Sequence, residues 1–298
     1  MKSTTVRRVT LSIVLVSALT GVSACSSDSS GSSGDDKAAR KGTTQFSPIA
    51  ALRSVEKSTD GADSAKVEST TTMGTLMSME ADGVMGWADG LTGTMTITYT
   101  GGTLAETMRK TGSTSMQARY LSDAYYARMS DTFAEQVGGK HWIKYAYDDL
   151  AELGGGSGAY LKDQMQNTTP NQSVKLLLAS GDVKKVGEET VRGENTTHYS
   201  GTVNVADMAT KNSNLTESQL ADLKEQLTQA GVSTERVDIW VNDDDLLVKK
   251  VEKGELSSGT MSSTAYYSDY GVKVSAAEPP ASDTADFKDL LKLQGATS

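Results

Sequence analysis

Few side chains in this 298-residue chain are equipped for covalent or metal chemistry. Cys25 is the only thiol, and His141 and His198 are the only imidazoles. A metal-binding or general-base histidine ordinarily has partners at motif spacing. Neither of these does; each lies in a strand pattern beside an aromatic residue, Trp142 or Tyr199, which fits a structural role. Gly154-Gly155-Gly156-Ser157-Gly158 has the composition of a phosphate loop or a nucleophile elbow. It follows a leucine-bearing helical segment instead of a strand, lacks the Lys-Ser/Thr pair, and has Ala159 where the elbow needs its last glycine. A flexible loop between helices is the better reading. Asp243, Asp244 and Asp245 are contiguous, whereas calcium loops alternate their oxygen ligands and continue to a distant Glu. Between two apolar strands they read as a hairpin turn. Asp148-Asp149 ahead of Leu150 reads as the acidic first turn of a helix, where negative charge offsets the dipole. No catalytic residue, metal or cofactor is expected, and an exported hydrolase is the weakest reading.

The thiol has a different chemistry available. Lys2, Arg7 and Arg8 form a basic region ahead of an apolar run from Val9 to Leu19, which is short for a membrane span and has the length of a secretory signal. The run leads to Val22-Ser23-Ala24-Cys25, which resembles the bacterial lipobox: small residues admit the signal peptidase, and the thiol accepts a diacylglyceryl group. A lone cysteine has no internal disulfide partner, in keeping with that use. Residues 1–24 are therefore expected to be a signal peptide and Cys25 the lipidation site. The alternative is an ordinary signal peptide cut near Ala24, leaving a free thiol. Ser26 to about Thr44 is Ser, Gly, Asp and Lys with almost nothing apolar, so 25–45 reads as a lipidated cysteine plus a disordered tether. A flexible coil of that length reaches roughly 25 Å. The expected location is the outer face of the cell membrane.

Charge narrows the partners. The whole chain carries 29 basic and 38 acidic side chains; loss of Lys2, Arg7 and Arg8 with the signal leaves 26 against 38, a formal net charge of −12. Such a protein is a poor nucleic-acid binder, since phosphate neutralisation needs clustered Lys and Arg. An anionic lipid surface would repel it, so attachment must come from acyl chains. No second long apolar run suggests a transmembrane helix.

The folded part is expected over 46–280 as one domain, with four prolines in the whole chain and no Pro-rich break inside it. Ser47-Pro48 before Ile49, Leu52 and Val55 predicts a short amphipathic helix with proline at its first position. From Lys66 the pattern has period two. Val67, Met73, Met77, Met79, Met85 and Trp87 fall on odd positions, and Met95, Ile97 and Tyr99 alternate with Thr94, Thr96 and Thr98. Further strands are predicted at 115–121, 124–129 and 141–145, forming an antiparallel meander wet on one side. A helical block follows, with Leu150 and Leu153, then Leu161 and Met165, then Thr169-Pro170-Asn171-Gln172 at capping-box spacing, closed by Gly181. Strands return at 183–188 and 196–205, and a helix beginning at Thr216-Gln219 carries Leu220, Leu223 and Leu227. Strands at 237–241, 246–251 and 261–270 close the sheet. Strands, then helices, then strands describe an α+β fold. Residues 281–298, with Phe287, Leu290, Leu291 and Leu293, form a tail with a possible short helix.

Eight of the 12 methionines lie between 73 and 129: Met73, Met77, Met79, Met85, Met95, Met108, Met116 and Met129. Methionine is unbranched and polarisable, so a methionine-lined face can reshape around variable apolar partners; it is also an ordinary gap filler beneath helices. The candidate ligand-binding residues are Met73, Met77, Met79, Met85, Trp87, Met95, Ile97 and Met116.

Five blocks carry a family resemblance: Tyr125-Tyr126-Ala127-Arg128, Gly139-Lys140-His141-Trp142-Ile143-Lys144, Gly193-Glu194-Asn195-Thr196-Thr197-His198-Tyr199-Ser200-Gly201, Val237-Asp238-Ile239-Trp240-Val241 and Tyr267-Ser268-Asp269-Tyr270-Gly271. In this order they resemble actinobacterial lipoproteins related to the LppX/LprG group, over roughly 46–280. The resemblance implies a LolA-like α+β fold in which a curved antiparallel half-barrel sheet wraps a helical layer and an apolar space accepts the acyl chains of lipids or lipoglycans. One departure is Asn242-Asp243-Asp244-Asp245, where the family usually has an Asp-Gly turn. The resulting expectation is a membrane-anchored exported lipoprotein that binds, and by this reading transports, an amphipathic lipid or lipoglycan. The alternative is a non-carrier module with the same fold and a filled core, recognising an envelope protein.

Overall fold

The computed structural model describes residues 47–153, 169–204, 234–256 and 259–296, with isolated positions 162, 163, 165, 166, 217, 221 and 225. The signal segment, Cys25 and the tether lie outside the described residues. So do the Gly-rich stretch 154–158, Leu161, and the apolar positions of the helix expected after Thr216.

Twelve strands form a single open sheet: β1 (Ser64–Met73), β2 (Met77–Gly86), β3 (Thr92–Gly101), β4 (Ser115–Tyr120), β5 (Ala124–Arg128), β6 (Trp142–Ala146), β7 (Lys184–Val191), β8 (Glu194–Asn204), β9 (Thr234–Asn242), β10 (Leu247–Leu256), β11 (Gly259–Ser268) and β12 (Thr284–Asp286). Their order is β12-β6-β5-β4-β3-β2-β1-β11-β10-β9-β8-β7, so the first and last meanders join where β1 pairs with β11. The fold is the expected α+β half-barrel, with one correction. The sheet is mixed, because β12 pairs parallel to β6 through Thr284↔Trp142 and Asp286↔Lys144. The C-terminal tail thus adds an edge strand, followed by a helix, and the sheet does not stop at Pro280.

The helices are α1 (Pro48–Asp60), α2 (Gly102–Lys110), α3 (Asp131–Gln136), α4 (Tyr147–Leu153), α5 (Pro170–Ser180) and α6 (Phe287–Ala296). Proline opens α1 and α5 as the sequence suggests, but neither Ser47 nor Thr169 makes a side-chain capping bond. Gly181 ends α5 at φ 72°, in the left-handed region that stops a helix. Asp148 and Asp149 lie in the first turn of α4. The short helices α2 and α3 were not anticipated: α2 buries only Ala105 and α3 only Ala134, too little apolar periodicity to register as a pattern.

In an antiparallel ladder, directly paired residues share a face. Following the registers across the sheet places Ala65, Val67, Met85, Ala81, Ile97, Ala118, Ala127, Ile143, Ala265, Tyr267, Val237, Ile239, Tyr199 and Val203 on one face. Helix α5 packs on that face over β8 and β9, and α1 packs against α5. Leu52, Val55, Val174, Leu176 and Leu177 form one core with Tyr199, Val203, Val237, Ile239 and Tyr267. The approach is close at Gly201, where a side chain would begin 2.9 Å from Leu177 Cδ2. Asn171 Nδ2 ties the two helices by donating to Glu56 O at 2.9 Å and Asp60 Oδ1 at 3.0 Å.

Asn242-Asp243-Asp244-Asp245 is the β9–β10 hairpin turn. Asn242 Oδ1 accepts from Asp244 N and Leu246 N, and Asp245 takes the left-handed conformation at φ 58° that a glycine would otherwise supply.

Candidate functional site

The inward face has two unlike halves. Under α1 and α5 it is filled. Over β2–β5 it carries a separate apolar cluster in which Ala81, Ile97 and Ala118 are buried, while Met79, Met95, Tyr99, Met116, Tyr120 and Tyr125 are packed against them but only half-buried. The aromatic wall continues across the sheet: Tyr120 to Tyr125 at 5.1 Å between ring centroids, Tyr125 to Tyr145 at 5.7 Å, and Tyr145 to Phe287 of α6 at 4.7 Å.

These phenols are strongly desolvated. Burial raises Tyr99; burial, then the neighbouring Tyr99, pushes Tyr120 up to about 12; and Tyr145 is pushed up to about 12 for the same two reasons. Burial, then Tyr120 and Tyr99, carries Tyr125 well above the ordinary phenol range. Each of these rings thus keeps some accessible surface although its phenol is heavily desolvated.

Of the residues singled out in the sequence, Met79, Met95, Ile97 and Met116 come together in this cluster. Met85 lies on the same face, buried, in register with Gly93. Met73 and Met77 pair with each other beside the β1–β2 turn; Met73 also pairs with Met261, and both Met73 and Met261 are buried. Trp87 goes elsewhere. Its ring packs on the helix-covered core, edge-on to Tyr270 at 6.4 Å, and its indole N–H donates to Asp60 O at 3.1 Å. Sequence reasoning missed Tyr120, Tyr125, Tyr145 and Phe287. Their shared face depends on which residues pair across strands, and the only local signal was the alternation that included Tyr99.

The two histidines hold structure. His141 Nδ1 lies 2.7 Å from Asp283 Oδ1, which also accepts from His141 N at 3.0 Å, so the contact fastens the segment before β12 to β6. His198 stacks on Trp240 at 4.2 Å, and its Nε2 meets Asp238 Oδ1 at 2.8 Å on the outer face. Arg236 donates to both oxygens of Asp238 at 2.8 and 3.0 Å. Burial alone would raise the Asp238 carboxyl; hydrogen bonds from Arg236, Ser200 and His198 override it and hold it below the usual range. The outer face also bears an open polar hollow of about 260 Å³ lined by Thr96, Ser115, Gln117, Arg128 and Asp131. Among the described residues no three His, Cys, Asp or Glu side chains converge as a metal site, and no helix is long and apolar enough to cross a membrane.

No family model matches the chain. The solved structure of LprF from Mycobacterium bovis aligns at 16% identity and TM-score 0.46 over 78% of this chain and 97% of that one. Lipoprotein LppX from Mycobacterium tuberculosis aligns at 16% identity and TM-score 0.47 over 77% and 97%. Two sequence relatives are much nearer. The "Uncharacterized 31.2 kDa protein in rplA-rplJ intergenic region" of Streptomyces griseus is 60% identical over 255 residues, 85% of this chain and 84% of that one. A "Putative lipoprotein" of Streptomyces coelicolor is 53% identical over 310 residues, 99% of this chain and 100% of that one. At that identity and coverage, the chain belongs to the same actinobacterial lipoprotein family as these two Streptomyces proteins.

Proposed function

We propose that this protein is exported, anchored to the outer face of the cell membrane through a diacylglyceryl group on Cys25, and binds the acyl chain of an amphipathic lipid or lipoglycan against the inward face of β2–β6. The observation that carries this reading is the cluster of Met79, Met95, Met116, Tyr99, Tyr120 and Tyr125, half-buried in area yet with its phenols heavily desolvated. Such a surface loses little by accepting a hydrocarbon chain and gains about 0.8 kcal/mol for each methylene removed from water. A chain of a dozen methylenes thus supplies about 10 kcal/mol before the cost of ordering it. Flexible methionines let one wall fit chains of differing length and branching. Carriage of the lipid across the envelope would follow from reversible binding of this kind, and no covalent step is needed.

The test is displacement of a fluorescent long-chain fatty acid from the secreted Cys25→Ser protein by unlabelled oleate. Saturable probe binding at one site per chain, reversed by oleate, is the expected result. Absence of saturable binding would leave the reading of a filled, non-carrier module that recognises another envelope protein.

A further inference from the structure

Across β1–β6 and β8–β11 the inward face is almost free of charge, and what charge it has there is gathered in one place; on the edge strand β7, Lys185 pairs with Tyr199 and Glu188 with Thr197. Following the registers over β1–β6 and β8–β11, the described inward positions are Met, Tyr, Ala, Val, Ile, Leu, Gly, Ser, Thr and one Asn, with three ionisable exceptions besides tyrosine: Lys250, Glu252 and Glu235. All three lie on the neighbouring strands β9 and β10. The approach to them from the apolar half is polar but uncharged, since Thr71 and Ser263 stand opposite each other on β1 and β11 with their hydroxyl oxygens 3.2 Å apart, and Ser263 pairs in turn with Glu252. The face therefore grades from a methionine and tyrosine wall, through hydroxyls, to a small charged group.

That charged group has no positive charge to spare. Lys250 Nζ donates to both oxygens of Glu252 at 3.1 Å, with the two side chains 13% and 14% exposed. Ser173 of α5 also donates to Glu252 Oε1, at 2.6 Å. Glu235, 1% exposed, adds a second carboxyl beside the pair, and neither of its oxygens has a hydrogen-bond partner. Desolvation alone would drag the Lys250 ammonium down, but the Glu252 charge overrides it and holds the ammonium above its ordinary value. Burial, then the Glu252 charge, pushes Glu235 up to about 9, with Lys250 opposing, so Glu235 is a neutral acid at pH 7.

We infer that the Thr71, Ser263, Glu252, Lys250 and Glu235 group is a head-group subsite for an uncharged, hydroxyl-bearing head, and that it discriminates against phosphate-bearing heads on the same acyl chain. A hydroxyl can donate to Glu252 and accept from Ser263 or Thr71 without leaving any group unpaired. A phosphate placed there meets a carboxylate whose ammonium is already committed, and burying it without a counter-charge is expensive. Discrimination of this kind comes from the repulsive element as much as the attractive one.

This inference rests on the acyl-binding reading, and the test separates the two. Displacement of the fluorescent fatty acid from the secreted Cys25→Ser protein is measured at pH 7 with 1-monooleoylglycerol and with oleoyl lysophosphatidic acid, which share one acyl chain. The glycerol-headed probe is expected to bind at least tenfold more tightly. Glu252→Gln frees the Lys250 ammonium and should cut that preference at least fivefold by strengthening the phosphate-headed probe. Displacement by both probes with equal affinity, or more tightly by the phosphate, overturns the subsite while leaving acyl binding intact, and so does a preference unchanged in a folded Glu252→Gln protein. Failure of both probes to displace overturns the acyl-binding reading and the subsite with it.

Discussion

The sulfur of Met95 lies over the backbone of Gly83 on the neighbouring strand: a side chain at 83 would begin 2.9 Å from Met95 Sδ and 2.8 Å from Met95 Cα. The relationship is reciprocal, because Met85 on β2 lies in the same way over Gly93 on β3. Each methionine is thus paired with an absent side chain, which lets the thioether lie flat along the inward face.

Adding a methyl at either glycine should therefore be costly. Gly83→Ala and Gly93→Ala are each expected to destabilise by about 1–3 kcal/mol through overpacking, lowering the thermal midpoint by about 2–4 °C per kcal/mol in a domain of this size. Gly187→Ala on β7, where an added Cβ meets nothing within 4 Å, is the control and should leave the midpoint nearly unchanged. Equal midpoints for all three would show that the Met–Gly pairing is not tight.

The strand half of the fold was largely legible from residues 66–99, where apolar odd positions alternate with threonine. That alternation correctly put Met79, Met95 and Ile97 on one face, because a side-chain period of two needs no knowledge of partners. It carried Trp87 along with them, although the tryptophan lies just past the end of β2 and is drawn to α1 and Tyr270. Tyr145 and Phe287 could not be seen to meet, since they are far apart in sequence and are joined only by the parallel pairing of β12 with β6. The charged group was hidden for a similar reason. Lys250 and Glu252 flank Val251 along β10, and only the cross-strand register shows that they face inward beside Glu235.

Filling the apolar cluster should compete with the ligand. Met79→Trp and Met116→Trp place bulk among residues already packed on Ala81, Ile97 and Ala118. Each is expected to weaken binding of the fluorescent fatty acid at least tenfold. Retained affinity in both folded variants would argue that the chain binds elsewhere.

Glu235 gives a stability dependence of defined sign. Its folded carboxyl titrates near 9 against an ordinary value of 4.5, so between these values the folded state holds a proton that the unfolded state has lost. Stability from this group is fully present below about pH 4.5 and declines as pH rises toward 9. Glu235→Gln, which is neutral throughout, is expected to raise the melting midpoint at pH 8 by about 4 °C or more and to leave it unchanged at pH 4. A variant less stable than the parent at pH 8 would contradict the account of a neutral, unpartnered acid.

The proposed anchor makes attachment depend on Cys25. In the producing cell, Cys25→Ser is expected to abolish incorporation of labelled fatty acid and to move the protein from the membrane fraction to the soluble one. Persistent labelling would place the acyl group on another residue.

Native mass spectrometry of the secreted Cys25→Ser protein, purified from its own host without detergent, tests acyl binding most directly. The account expects a population heavier than the bare chain by a discrete lipid mass, lost on organic extraction and diminished in Met79→Trp. A single bare-chain mass that stays bare after incubation with a large excess of monooleoylglycerol would contradict it.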